Sequence, residues 1–280
     1  MGTIVYKYRA INDNTKDSLR NAYFYFSQPH QLNDVYDAFI PSDYYATKKE
    51  IQEWSKKKHL SINQINKLLN DSHSGELEKI IEKEKEKLRE RYFILCLSMV
   101  WNETMMWAYY AESNSGLCIG YNTKYVKNTY MLEVDMKNDP KEEFSKDEDE
   151  YLLPLIEIKY EKKSIPKYNP FKRNYEAIKN GFFYKEPKWS MEKEVRAFFI
   201  NETKENRIIS AKDHFVYYPR KCMKEITFGI KAKKTNVLEV INIVEKDYPR
   251  KVNYYKVIQN TNEPGLIRIP FNKNDIEKLF

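Results

Sequence analysis

The run Trp189 to Phe198 places Glu192, Glu194, Arg196 and Phe198 at every second position. If it enters a strand, the period of two sets these four on one face and Lys193, Val195 and Ala197 on the other. Three charges leading into an apolar position suggest a face that passes from solvent into a pocket. The plainer alternative is a surface ion pair, Glu194/Arg196 or Glu192/Arg196, which is common and worth little.

Two other places carry groups with chemistry. Tyr6-Lys7-Tyr8-Arg9 ends a predicted strand on an arginine, whose planar fork can clamp a phosphate or carboxylate. Downstream, Asn33 and Asp34 could orient that arginine, although Asx residues in loops are as often turn formers. Met105 to Ala111 puts Trp107, Tyr109 and Tyr110 on a predicted helix, behind Ser98 and ahead of Gly116-Leu117-Cys118-Ile119-Gly120. Such an aromatic helix is more often core packing than a platform for stacking a ring.

Several common chemistries leave marks that are absent here. The sequence has no glycine-rich dinucleotide loop, no phosphate loop ending in Gly-Lys-Ser/Thr and no Gly-x-Ser-x-Gly elbow. His30, His59, His73 and His214 do not pair at zinc spacings with each other or with cysteine. Metal-dependent nucleases want carboxylates near a lysine, whereas Glu194 is followed two residues later by Arg196.

The elements that must position these groups read clearly. Strands are predicted at 3–9, 23–26, 92–100, 116–121, 130–134, 155–160, 195–200, 225–230 and 252–259, and helices at 102–112 and 235–247. Over 42–91 the pattern turns helical, with Ser61 and Ser74 as candidate N-caps and a charged face from Glu82 to Arg91 with partners at i,i+4. This segment reads as a helical insertion or lid in a single domain spanning 1–280. Asp139 to Glu150 reads as an acidic surface loop. Strands and helices do not alternate as a doubly wound sheet requires, so the expected class is α+β, a mixed and largely antiparallel sheet with peripheral helices. Only 7 glycines occur, so the turns are expected to fall largely on Asn, Asp and Pro.

The net charge is +7, but the lysines are interleaved with acids, which is weak support for a polyanion partner. Cys96, Cys118 and Cys222 are far apart and odd in number, suiting a reducing compartment. No stretch has the length of a membrane span, and no apolar signal core opens the chain. The expectation is a cytoplasmic protein with no membrane partner.

Taken together the blocks resemble a bacterial family catalogued only as a domain of unknown function. The matching pieces are Tyr6-Lys7-Tyr8-Arg9, Phe26-Ser27-x-Pro29, Asn33-Asp34-x-x-Asp37, Leu97-Ser98, Met106-Trp107-x-x-Tyr110-Ala111, Gly116 to Gly120 and Trp189-x-x-Glu192-x-Glu194-x-Arg196, spread over about residues 4 to 230. The chain departs from that pattern at Val35 and Tyr36, where Pro and Phe are usual, and at Tyr109, where His is usual.

The order Arg, Ser, Glu also resembles the layout of arginine-type ADP-ribosyltransferases. That resemblance implies an ADP-ribosyltransferase-like fold with NAD as substrate. It implies Arg9 at the NAD phosphate or ribose, Ser98 in support, with Asn33 and Asp34 nearby, and one of Trp107, Tyr109 or Tyr110 against nicotinamide. Glu194, with Glu192 and Arg196, would stand at the ribose as an oxocarbenium-like state develops. The leading expectation is thus a transferase or NAD glycohydrolase, such as the toxic effector of an anti-phage defence system, with nucleic acid or protein as acceptor. A nuclease or nucleic-acid-binding defence protein is the alternative, and a non-catalytic sensor or partner-binding module the third.

Overall fold

The computed structural model describes residues 2–34, 36–70, 75–135, 151–161, 166–172, 176–200 and 214–280. Ser74, His73, Val35 and the acidic segment 139–150 lie outside them. From the N-terminus come β1 (Ile4–Arg9), α1 (Asp13–Asn21), β2 (Tyr23–Tyr25), α2 (Lys48–Lys57), α3 (Ile62–Leu69), α4 (Glu76–Arg89) and β3 (Tyr92–Ser98). Next are α5 (Thr104–Tyr110), β4 (Leu117–Asn122), β5 (Lys124–Val126), β6 (Thr129–Val134), β7 (Tyr151–Pro154), β8 (Ile156–Glu157), β9 (Lys159–Tyr160) and α6 (Glu176–Phe183). The remainder is β10 (Tyr184–Lys185), β11 (Glu194–Ile200), β12 (Phe215–Tyr217), β13 (Met223–Phe228), α7 (Lys234–Asp247), β14 (Asn253–Gln259), β15 (Leu266–Phe271) and α8 (Ile276–Leu279).

The chain is α+β, built on an eight-stranded sheet in the order β15-β14-β13-β4-β1-β3-β11-β8. β1 runs antiparallel to β3 and β4, while β13 and β14 form a parallel pair. Two compact units can be separated, Met1–Phe26 with Ile94–Ile158 and Lys188–Phe280, and Ser27–Phe93 with Lys159–Pro187.

In the first unit, β1 alternates as its sequence demands. Val5, Tyr6 and Tyr8 are buried, and the register Tyr6↔Ser98 and Tyr6↔Gly120 puts Tyr6, Ser98 and Gly120 on one face. Tyr6 and Tyr8 pack there with Met106 and Trp107 of α5 and with Cys118 and Val257. That face is tight, since a Cβ at Gly120 would stand 2.7 Å from the Glu225 side chain. α1 begins where Asn12 accepts a hydrogen bond from Thr15 N–H, and ends at Ala22 in a left-handed conformation. α7 buries Val237, Val240, Ile241 and Val244, the stripe its spacing predicts.

In the second unit, α2, α3 and α4 gather Ile51, Leu68, Ile81 and Phe171 into a small core. Ser61 caps α3 with a capping box closed by Gln64. On α4 the ion pairs differ from the expected i,i+4 spacing: Lys85–Glu82, Lys87–Glu84 and Arg89–Glu86 are all i,i+3. The three helices share this unit with α6 and the β9/β10 pair.

Asp34, Asp43 and Asn260 close turns with their side chains and Pro29 and Pro187 open 3₁₀ turns, as expected, while the left-handed positions fall mostly on other residue types. Among the described residues ten non-glycine residues have positive φ, including Ala22, Ala38, Lys127 and Lys193, and only Asn114 and Asn128 of them are Asn. Scarcity of glycine has pushed the left-handed positions onto residues that tolerate them less well.

Candidate functional site

The Glu192-to-Phe198 run does not behave as one uninterrupted strand face. Glu192 ends a 3₁₀ turn over Pro187–Glu192, and Lys193 has φ 43°, so regular alternation begins only at Glu194. The left-handed residue resets the side-chain direction and gives Glu192 and Glu194 different partners.

Glu192 is buried and accepts a hydrogen bond from the Tyr110 hydroxyl at 2.6 Å. Its backbone carbonyl accepts another from Ser98 Oγ at 2.6 Å, and Ser98 Oγ in turn accepts from Val100 N–H at 3.1 Å. Ser98 therefore clasps the end of β3 to the turn that enters β11. Tyr110 reaches Glu192 because α5 lies over the Tyr6 face of the sheet.

Glu194 and Arg196 make the ion pair that their spacing allows, but in the interior. Arg196 is fully buried and Glu194 only 5% exposed. Arg196 Nε donates to Glu194 Oε1 at 2.6 Å and Nη2 to Oε2 at 3.0 Å, a bidentate pair. Burial makes each charge dependent on the other.

Lys7 draws β1 into the same neighbourhood. Its ammonium donates to the Cys96 carbonyl at 2.8 Å. Desolvation in this dense part of the sheet lowers its pKa; Cys96 opposes that shift, Arg9 adds to it, and Glu194 opposes it. Arg9 Nη1 donates to Ser18 Oγ at 2.7 Å. Lys7 and Arg9, two residues apart on β1, project from the face opposite to Tyr6 and Ser98. Lys7 is thus within electrostatic reach of both Arg9 and Glu194, and Ser98 lies on the other face of the sheet from Arg9.

A consequence can be measured for Lys7. Its folded-state pKa is lowered, so between that value and the ordinary lysine value of about 10.4 the unfolded chain binds more protons, and stability rises with pH across the window. Urea unfolding between pH 7 and 10.5 should show this rise in the wild type and lose it in Lys7→Met; parallel profiles would mean that the ammonium is well solvated.

The aromatic helix divides by burial. Trp107 is fully buried, donates its indole N–H to the Trp101 carbonyl at 2.7 Å and meets Tyr8 edge to face, so it is core. Tyr109 is exposed, with its ring centroid 6.3 Å from that of Trp189. Asn33 and Asp34 belong to the second unit, and Asp34 Oδ1 accepts from Tyr36 N–H at 3.0 Å, an Asx turn. Asp37, three residues on, forms a buried ion pair with Lys185 at 3.2 Å.

One cluster escaped the sequence analysis. Arg268 of β15 has its guanidinium 4.5 Å from the Trp101 ring and 4.1 Å from the Tyr255 ring, and donates to Glu225 at 2.5 Å and Thr227 at 3.1 Å. Its members come from three strands and a loop with no shared local spacing, so only the fold assembles them. Burial, with the Glu225 charge and its hydrogen bond in support, raises the pKa of the neighbouring Tyr6 phenol. A cleft of about 610 Å³ lies elsewhere in the first unit, between α7 and the β14/β15 edge, lined by Tyr254, Arg250 and Lys273 among others and by none of the predicted site residues. Among the described residues no group of three or more His, Cys, Asp or Glu could hold a metal ion, and no helix is long and apolar enough to cross a membrane.

The class defined so far is an α+β chain with a buried Glu194–Arg196 ion pair on β11 and the half-buried cations Lys7 and Arg9 on β1. A family model described as a protein of unknown function, DUF2971, matches residues 106–197, from α5 through Ala197 on β11. This range holds the Met106-to-Ala111, Gly116-to-Gly120 and Trp189-to-Arg196 blocks. No curated protein and no solved structure matches the chain.

Proposed function

We propose that these charged residues of β1 and β11 bind a nucleotide and that the chain cleaves the nicotinamide–ribose bond of NAD, as a glycohydrolase or an ADP-ribosyltransferase. The observation that supports this reading is the placement of Lys7 and Arg9 on one face of β1, with the Glu194 carboxylate near enough to bear on the Lys7 charge. Two cations on one strand suit a pyrophosphate, and a carboxylate near Lys7 suits a ribose hydroxyl. Arg196 occupies both oxygens of Glu194 from one side, yet a carboxylate has about four lone-pair sites, so acceptor capacity remains. Ser98 and Tyr110 support the site indirectly, by holding Glu192 at the entry to β11.

The step balances simply. The bond from ribose C1′ to the pyridinium nitrogen breaks, and its electron pair leaves with neutral nicotinamide. The oxocarbenium-like ribose, stabilised by the carboxylate, is captured by the oxygen of water or of an acceptor, whose proton passes to solvent. Consumption of NAD would make the chain a toxic effector, the role expected in an anti-phage system.

Incubating the full chain with NAD should release nicotinamide or label a protein or nucleic-acid acceptor with ADP-ribose, and expression should deplete cellular NAD. If micromolar protein yields neither nicotinamide nor label, the reading fails.

A further inference from the structure

The second unit carries a surface that the NAD reading does not use. Among the described residues, four large exposed aromatics fall within ten positions: Tyr36 at 62%, Phe39 at 47%, Tyr44 at 46% and Tyr45 at 67% exposure. Rings of this size ordinarily seek cover, and so many in one short segment is informative. Local structure holds the segment in place. Asn169, fully buried, donates to the carbonyls of Asp43 and Tyr45 at 2.8 and 2.9 Å, and Asp43 N–H donates to the Tyr168 carbonyl at 2.9 Å. The Asx turn at Asp34 sets Tyr36, whose ring lies 6.1 Å from that of Phe39. These aromatics are presented on braced backbone.

Cations lie beside the Tyr45 end of the segment. Lys172 lies 5.3 Å from the Tyr45 ring centroid and pairs with Asp43 at 2.6 Å, and Lys167 is near enough to act on the same carboxylate. Lys48 and Lys49 are exposed just beyond Tyr45. Of the acids close by, Asp43 pairs with Lys172, Glu50 closes the Thr47 cap, Glu82 meets Ser42, Tyr44 and Lys85, Asp34 accepts from Tyr36 N–H, and Glu78 bears on the Tyr44 hydroxyl. The described cations beside the Tyr45 end of the segment are thus Lys48, Lys49, Lys167 and Lys172.

Exposed rings with lysines beside them complement the bases and phosphates of an unpaired strand. We infer that the 36–45 segment with Lys167 and Lys172 is a docking surface for single-stranded nucleic acid, on which Tyr36, Phe39 and Tyr45 stack bases while the lysines meet phosphates. Stacking needs only the face of a base, so the surface would be tolerant of sequence. A duplex hides those faces and would bind less well. This site is independent of NAD cleavage.

The test uses the full chain and fluorescent 20-mers of dT, rU and a duplex, with binding read by anisotropy between 50 and 200 mM salt. Single strands should bind better than the duplex, with affinity falling as salt rises. Tyr36→Ala and Tyr45→Ala should each weaken binding about tenfold, with an unchanged melting temperature because both side chains are exposed. Lys167→Gln with Lys172→Gln should flatten the salt slope. Absent binding, equal binding of the duplex, or affinity indifferent to the two tyrosines would overturn the proposal. So would self-association abolished by the tyrosine substitutions, which would assign the surface to a protein partner.

Discussion

Glu194→Gln should lower NAD turnover per folded molecule about a thousandfold, the scale on which losing one preorganised electrostatic group acts at a developing charge. The amide keeps the shape of the carboxylate and removes the negative charge that would face the oxocarbenium. The same change also removes the counter-charge of Arg196, so some loss of stability accompanies it. Rates must therefore be normalised to folded protein, measured by circular dichroism at the assay temperature. A rate per folded molecule equal to that of the wild type would leave Glu194 only a structural role.

Arg196→Met should cost about 3–5 kcal/mol of stability, because it strands a buried carboxylate from both of its guanidinium bonds. The double replacement Glu194→Gln, Arg196→Met should recover much of that loss, since no uncompensated charge then remains inside. Urea unfolding of the wild type, both single variants and the double variant closes the cycle. Additive losses would show that the two side chains do not depend on each other and that the pair is solvated. Together the two experiments separate chemistry at Glu194 from its part in holding β11.

Much of the main sheet was legible because its signals are local. Tyr6-Lys7-Tyr8-Arg9, Tyr92 to Ser98 and Asn253 to Gln259 carry enough β-forming residues to declare strands, and Val237, Val240, Ile241 and Val244 declare α7. Other elements were missed for physical reasons. α1 has only Leu19 as a large buried apolar residue, so its stripe is nearly invisible. β15 mixes exposed and half-buried positions around Arg268 and Pro270, which hides its alternation.

The candidate site was legible in composition and less so in arrangement. Spacing alone proposed the Glu194–Arg196 pair and an arginine at the end of β1, both of which the structure contains. It placed Glu192 on the Glu194 face, and the left-handed Lys193 breaks that alternation. It offered Trp107, Tyr109 and Tyr110 alike as ring platforms, whereas burial makes Trp107 core, leaves Tyr109 open and turns Tyr110 toward Glu192.

The sequence by itself determined most strands of the main sheet, the stripe of α7, and that the chain is α+β. Tertiary structure alone decided which faces are covered and which charges meet. Periodicity reports only neighbours along the chain, while the environment of Glu194 depends on β1, more than 180 positions away, and that of Glu225 on β15. An ion pair that spacing marks as a surface feature became an interior one because distant strands closed over it, and desolvation then changed what its charges are worth.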